Sequence, residues 1–139
     1  MSNLSTPQSA TAVATNVSTE TAILTIPFSS GATANALLGI PVASAAGKNI
    51  VLGSMNITAG TGTTAVVVKC RQGAGTVTGT QVGPSKTVTL AATATAEIPL
   101  AFQDTAPNSA EAYTITVTQT GGTAAGTVNA ITAYTSDYS

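Results

Sequence analysis

The sequence predicts an all-β fold: a single antiparallel β-sandwich of jelly-roll type, with about eight strands and an extended N-terminal arm. Three observations carry that expectation. From Glu20 onward apolar residues recur at every second position, the period of a strand. Breaks rich in Gly, Ser and Thr separate these runs at spacings of about 8–15 residues. No run keeps an apolar period of about 3.6 over three turns. The Ala-rich pieces ASAA (43–46) and AATATA (91–96) have Thr or flanking Gly and Ser, which oppose a helix. An immunoglobulin-like sandwich is the other architecture this rhythm allows, although the Cys–Trp–Cys spacing of antibody domains is absent.

Residues 1–19 (MSNLSTPQSATAVATNVST) show no sustained period and many small polar side chains. They read as an arm, either free or ordered against a neighbour, with Leu4, Val13 and Val17 as its apolar anchors. The sandwich is expected to occupy 20–139. In TAILTIPF, Ala22, Leu24, Ile26 and Phe28 share a face, and Pro27 marks an edge or a strand end. SSGATANA (29–36) is a loop by composition, and LLGIPV (37–42) is a short apolar run. NIVLGSMNIT (49–58) has Ile50 and Leu52 on one face and Val51, Met55 and Ile57 on the other, so both faces are expected to be covered. Gly53 within it suggests a bulge or a close approach.

AGTGTT (59–64) reads as a tight turn into AVVVKCR (65–71), which makes 49–71 an expected hairpin. In that second strand Val66, Val68 and Cys70 lie opposite Lys69 and Arg71. After the glycine-rich QGAGTVTG, the segment 79–90 holds one or two short strands with Val88 and Leu90 facing in. The run 92–102 brings Ile98, Leu100 and Phe102 together. EAYTITVTQT (111–120) sets Tyr113, Ile115 and Val117 against a row of Thr. After GGTAAG, the run 127–138 is the last strand. There Tyr134 and Tyr138 share the parity of Val128, so at least one is expected in the core or at an interface.

Composition removes most chemistries. The 139 residues suit one domain. Charged residues are 6%, against about 25% in an average domain. A net charge of −1 cannot supply the cluster of phosphate contacts that nucleic acid requires. With no His, the chain lacks the commonest general base and metal ligand. One Cys excludes an intrachain disulfide, and Cys70 alternates with buried valines as an inert core thiol. Glu97, Asp104 and Glu111 surround one loop and could line an end of the sandwich, but no EF-hand-like run supports Ca2+ there. No catalytic, metal or cofactor site is therefore expected.

The glycine pieces lack GxxxxGK[ST] and read as turns. Sugar binding has no Trp and only three Tyr to stack on. The ladder Thr114, Thr116, Thr118 and Thr120 is the solvent or partner face of a strand, since no solenoid repeat accompanies it. The Asn-x-Ser/Thr triplets at Asn3, Asn16 and Asn56 are expected by chance in a Thr-rich chain. Nothing approaches the roughly 20 apolar residues of a membrane helix. The first cation is Lys48, so no secretory signal is read, and synthesis in the cytoplasm is expected.

Leu, Ile, Val and Phe together make roughly a fifth of the chain. A core that thin, with so few charges to guard the sheet edges, points to burial against other subunits. A homo-oligomer is the expected state.

The polar start (MSNLSTPQSATAVAT), the Ala/Thr/Gly-rich strands (KNIVLGSMNITAGTGTTAVVVKC, EAYTITVTQTGG) and a terminal strand (TVNAITAYTSDYS) together resemble the small jelly-roll decoration, or cement, proteins of bacteriophage capsids. The likeness spans 20–138 and carries no signature motif. It implies a virion protein on the outer capsid surface, trimeric, whose partners are its own copies and the major capsid protein. The competing reading is a receptor- or glycan-binding sandwich of a phage fibre or an adhesin.

Overall fold

The computed structural model describes residues 7–15, 19–27, 48–62, 64–105, 112–122 and 125–138. The described residues form eight strands and no helix: β1 (Gln8–Ala14), β2 (Thr21–Pro27), β3 (Lys48–Thr58), β4 (Thr64–Gln72), β5 (Lys86–Leu90), β6 (Thr95–Asp104), β7 (Ala112–Thr120) and β8 (Thr127–Tyr138). They build two four-stranded sheets, ordered β1-β8-β3-β6 and β2-β7-β4-β5, and every named pairing is antiparallel.

The order has a simple origin. First pairs with last, second with seventh, third with sixth, and fourth with fifth. The chain is thus one long hairpin, with β4 and β5 at its tip, rolled so that β3 also meets β8 and β4 also meets β7. That is a jelly roll, as the sequence predicts. Every connection except β4–β5 crosses from one sheet to the other.

This topology corrects the expected hairpin at 49–71. β3 pairs with β6 and β8, and β4 with β5 and β7, so AGTGTT spans the two sheets. A period of two shows that a segment is a strand but not which strand lies beside it. The arm read from the sequence also contains a strand. Gln8–Ala14 lies along β8 with no buried residue, so its side chains give almost no apolar pattern to read. The run LLGIPV and the loop SSGATANA lie outside the described residues.

The core lies between the sheets. On β4 burial alternates strictly, with Val66, Val68 and Cys70 inward and Lys69 and Arg71 outward. On β6 Ile98, Leu100 and Phe102 point in, while Glu97, Pro99 and Ala101 are exposed. Tyr113, Phe102, Met55 and Ile131 are among the largest fully buried side chains, each contributing about 1.5–3 kcal/mol of apolar burial. Gly53 is the close approach that the sequence suggests: a Cβ there would overlap the backbone oxygen of Thr132 on β8. Its cross-strand partners are Leu100 and Ala133.

Candidate functional site

Two polar networks close the ends of this core. At one end Asp104 ends β6, Gln72 ends β4, and Tyr113 and Asn49 are the second residues of β7 and β3. The Tyr113 hydroxyl donates to Asp104 Oδ2 at 2.7 Å and accepts from Asn49 Nδ2 at 3.0 Å. Gln72 Nε2 donates to the same Oδ2 at 2.8 Å. All four side chains are buried. Burial, and then the bond to Asp104, push the Tyr113 phenol above its ordinary range, so it remains a neutral donor. At the other end Thr15 donates to Gln119 Oε1 at 3.2 Å, and the Gly126 N–H is shared between Thr15 Oγ1 and Gln119 Oε1. These bonds satisfy polar groups where the strands run out of apolar partners.

The outer face of β2-β7-β4-β5 carries an ion pair. Arg71 Nε and Nη2 donate to Glu20 Oε2 and Oε1 at 2.6 and 2.8 Å, a bidentate pair. Thr116 donates to Glu20 Oε2 at 2.6 Å, and Arg71 Nη1 donates to the Gly79 carbonyl at 2.9 Å. The bonds from Arg71, more than Thr116, hold the Glu20 carboxyl at about 2. Thr114 and Thr116, expected on a solvent or partner face, are fully buried beneath this cluster; Thr114 donates to the Gly73 carbonyl. Thr120 is exposed, as the ladder reading expects.

The outer face of β1-β8-β3-β6 is organised differently. Ile50 and Leu52 of β3 lie half-buried there, and Tyr134 of β8 stands opposite Leu52. Beside them the polar side chains bond to one another. Asn129 Nδ2 donates to Asn56 Oδ1 and Thr58 Oγ1, Asn56 Nδ2 donates to Glu97 Oε1, and the Thr58 and Thr95 hydroxyls meet at 2.8 Å. A surface whose polar groups are already engaged gives up less to water when another protein covers it.

The residues singled out from sequence fall as follows. Val13 is half-buried and packs against the chain's own core. Tyr134 is half-buried on the outer face, not on the inward side of Val128. The reason is an irregularity after Asn56: Asn56 pairs with Ala130 and Ile57 with Val128, so Asn129 is an extra residue that inverts the parity of β8. Leu4 and Val17 lie outside the described residues, as does the side chain of Tyr138. Glu97 and Asp104 point to opposite faces of β6, so these two carboxylates do not line one site, and Glu111 is outside the described residues. Cys70 is fully buried, and burial followed by nearby Asp104 pushes its thiol up. Among the described residues no group of three His, Cys, Asp or Glu is placed to hold a metal.

The fold is shared with chains of a viral particle. A chain of the T13 IBDV viral particle matches with a TM-score of 0.58 and 10% identity, over 93% of this chain and 31% of that one. A chain of infectious bursal disease virus, Gt strain, matches with a TM-score of 0.51 and 11% identity, over 97% and 31%. The present chain therefore spans about a third of the length of these viral chains. A chain of the Bacillus endospore appendages, described as disulfide-linked pili, aligns over 99% of this chain and 89% of its own, at 14% identity and a TM-score of 0.41. No protein-family model and no curated protein matches the sequence. At these identities the likeness is one of fold.

Proposed function

We propose that the chain is a structural protein of a virion, a capsid decoration or cement protein that binds the outside of a phage head. It acts as a homotrimer that stabilises contacts between subunits of the major capsid protein, and it catalyses no reaction. The observation that carries this is the outer face of β1-β8-β3-β6: Ile50, Leu52 and Tyr134 beside a self-bonded polar ladder whose one carboxylate, Glu97, is engaged by Asn56. Such a face suits cover by protein. The jelly roll shared with chains of a viral particle supports the same reading by analogy of fold. The arm of residues 1–19 is part of the proposal, as a segment that reaches a neighbouring subunit.

Immunogold labelling of intact virions containing this chain tests the proposal. Label spread over the outside of the head is expected. Label confined to a tail or fibre, joined to a specific hit on a glycan array, would replace it with a receptor-binding role.

A further inference from the structure

Strand β1 is the least embedded element of the sandwich. None of its seven residues is buried, and Ala10 and Val13 alone lean on the core. It is an edge strand whose ladder partner is β8. Midway along it Ala12 has φ 54°, a left-handed backbone that an L residue rarely adopts. The ladder from Gln8–Ala133 to Ala14–Thr127 keeps one register but skips the step at Ala12. Just beyond, Thr15 is fully buried. Its N–H donates to the Gly126 carbonyl at 3.0 Å, and its hydroxyl is held by Gln119 and Gly126. The chain is thus held to its sandwich at Thr15, and the strand outboard of it carries one left-handed residue at the step that faces Asn129, the extra residue of β8.

Anchor and strand are therefore separable. β1 can leave β8 without moving Thr15 or withdrawing a buried side chain of its own. What it leaves is the ladder edge of β8, next to the core residues Val128, Ile131 and Ala133. The sequence that fits that edge is β1 itself, and a second copy supplies it with the same hydrogen bonds. An edge strand that buries none of its side chains is a low-cost element to exchange between copies.

We infer that β1 is exchanged between copies: Gln8–Ala14 of one chain pairs with β8 of another. The inference rests on the self-association proposed above and names the segment that carries it.

Ser9 and Thr132 are register partners with hydroxyl oxygens 3.1 Å apart, so cysteines at both positions are placed for a disulfide. The S9C/T132C variant is oxidised in its native state, then denatured in excess iodoacetamide, which caps Cys70, and run on a non-reducing gel. Light scattering of the native protein is measured in parallel. The expected result is a native oligomer in which most chains are covalently joined to another chain. An oligomer whose chains carry only intrachain disulfides overturns the exchange and leaves self-association standing. A monomer by light scattering overturns the self-association reading and the exchange with it.

Discussion

The bidentate pair between Arg71 and Glu20 ties the start of β2 to β4 across the buried Thr116. Glu20 titrates at about 2 in the fold against a usual 4.5. Its stabilising contribution is therefore fully present above about pH 4.5 and is lost as the pH falls toward 2. Urea unfolding at pH 7, 4 and 2 should show that loss, and Glu20→Gln should flatten it. At neutral pH the substitution should cost about 1–2 kcal/mol, allowing for the pair's partial exposure. Tyr113→Phe deletes one hydroxyl but strips a partner from both Asn49 and Asp104, at about 1–3 kcal/mol in the same assay. The buried end network was partly legible. Asp104 follows Ile98, Leu100 and Phe102 at the same parity, and Gln72 follows Val66, Val68 and Cys70. Extending each inward row by one step reaches the polar residue. The Glu20–Arg71 pair was not legible, because its members are 51 positions apart and meet only once β2 and β4 both flank β7.

At the scale of strands, alternation located β2 to β8 but left their partners open. The apparent hairpin of β3 and β4 dissolves because a jelly roll sends consecutive strands to opposite sheets. The parity of Tyr134 inverts because one added residue, Asn129, is invisible to a strict period of two. The edges carry guards that the scarcity of charge in the sequence conceals. Lys86 sits on edge strand β5 with its ammonium 5.6 Å from the centre of the Phe102 ring, and exposed Pro99 interrupts the donors of edge strand β6. Lys86→Val combined with Pro99→Thr should raise turbidity on concentration, while a variant with unchanged turbidity would deny these residues a guarding role. Gly53→Ala should cost about 1–3 kcal/mol or more, because the new methyl meets the Thr132 carbonyl across the β3–β8 ladder. Thermal unfolding of the variant measures that cost.

For the whole molecule, the jelly roll was legible because its parts are local: strand rhythm, glycine breaks and an absence of helical period. The scarcity of charge was legible too, and the structure gives it a location. Arg71, Glu20 and Glu97 are engaged by neighbours on the outer faces, and Lys86 lies against Phe102. What stands outward on β1-β8-β3-β6 is a half-buried apolar group with bonded polar side chains around it. Association through such a face owes little to Coulomb attraction, so added salt should leave it in place. Size-exclusion chromatography with light scattering at micromolar concentration, in about 0.1 M and about 1 M NaCl, tests this most directly. The account predicts a mass that is a multiple of 13.5 kDa and the same in both salts; a single 13.5 kDa species in both would contradict it.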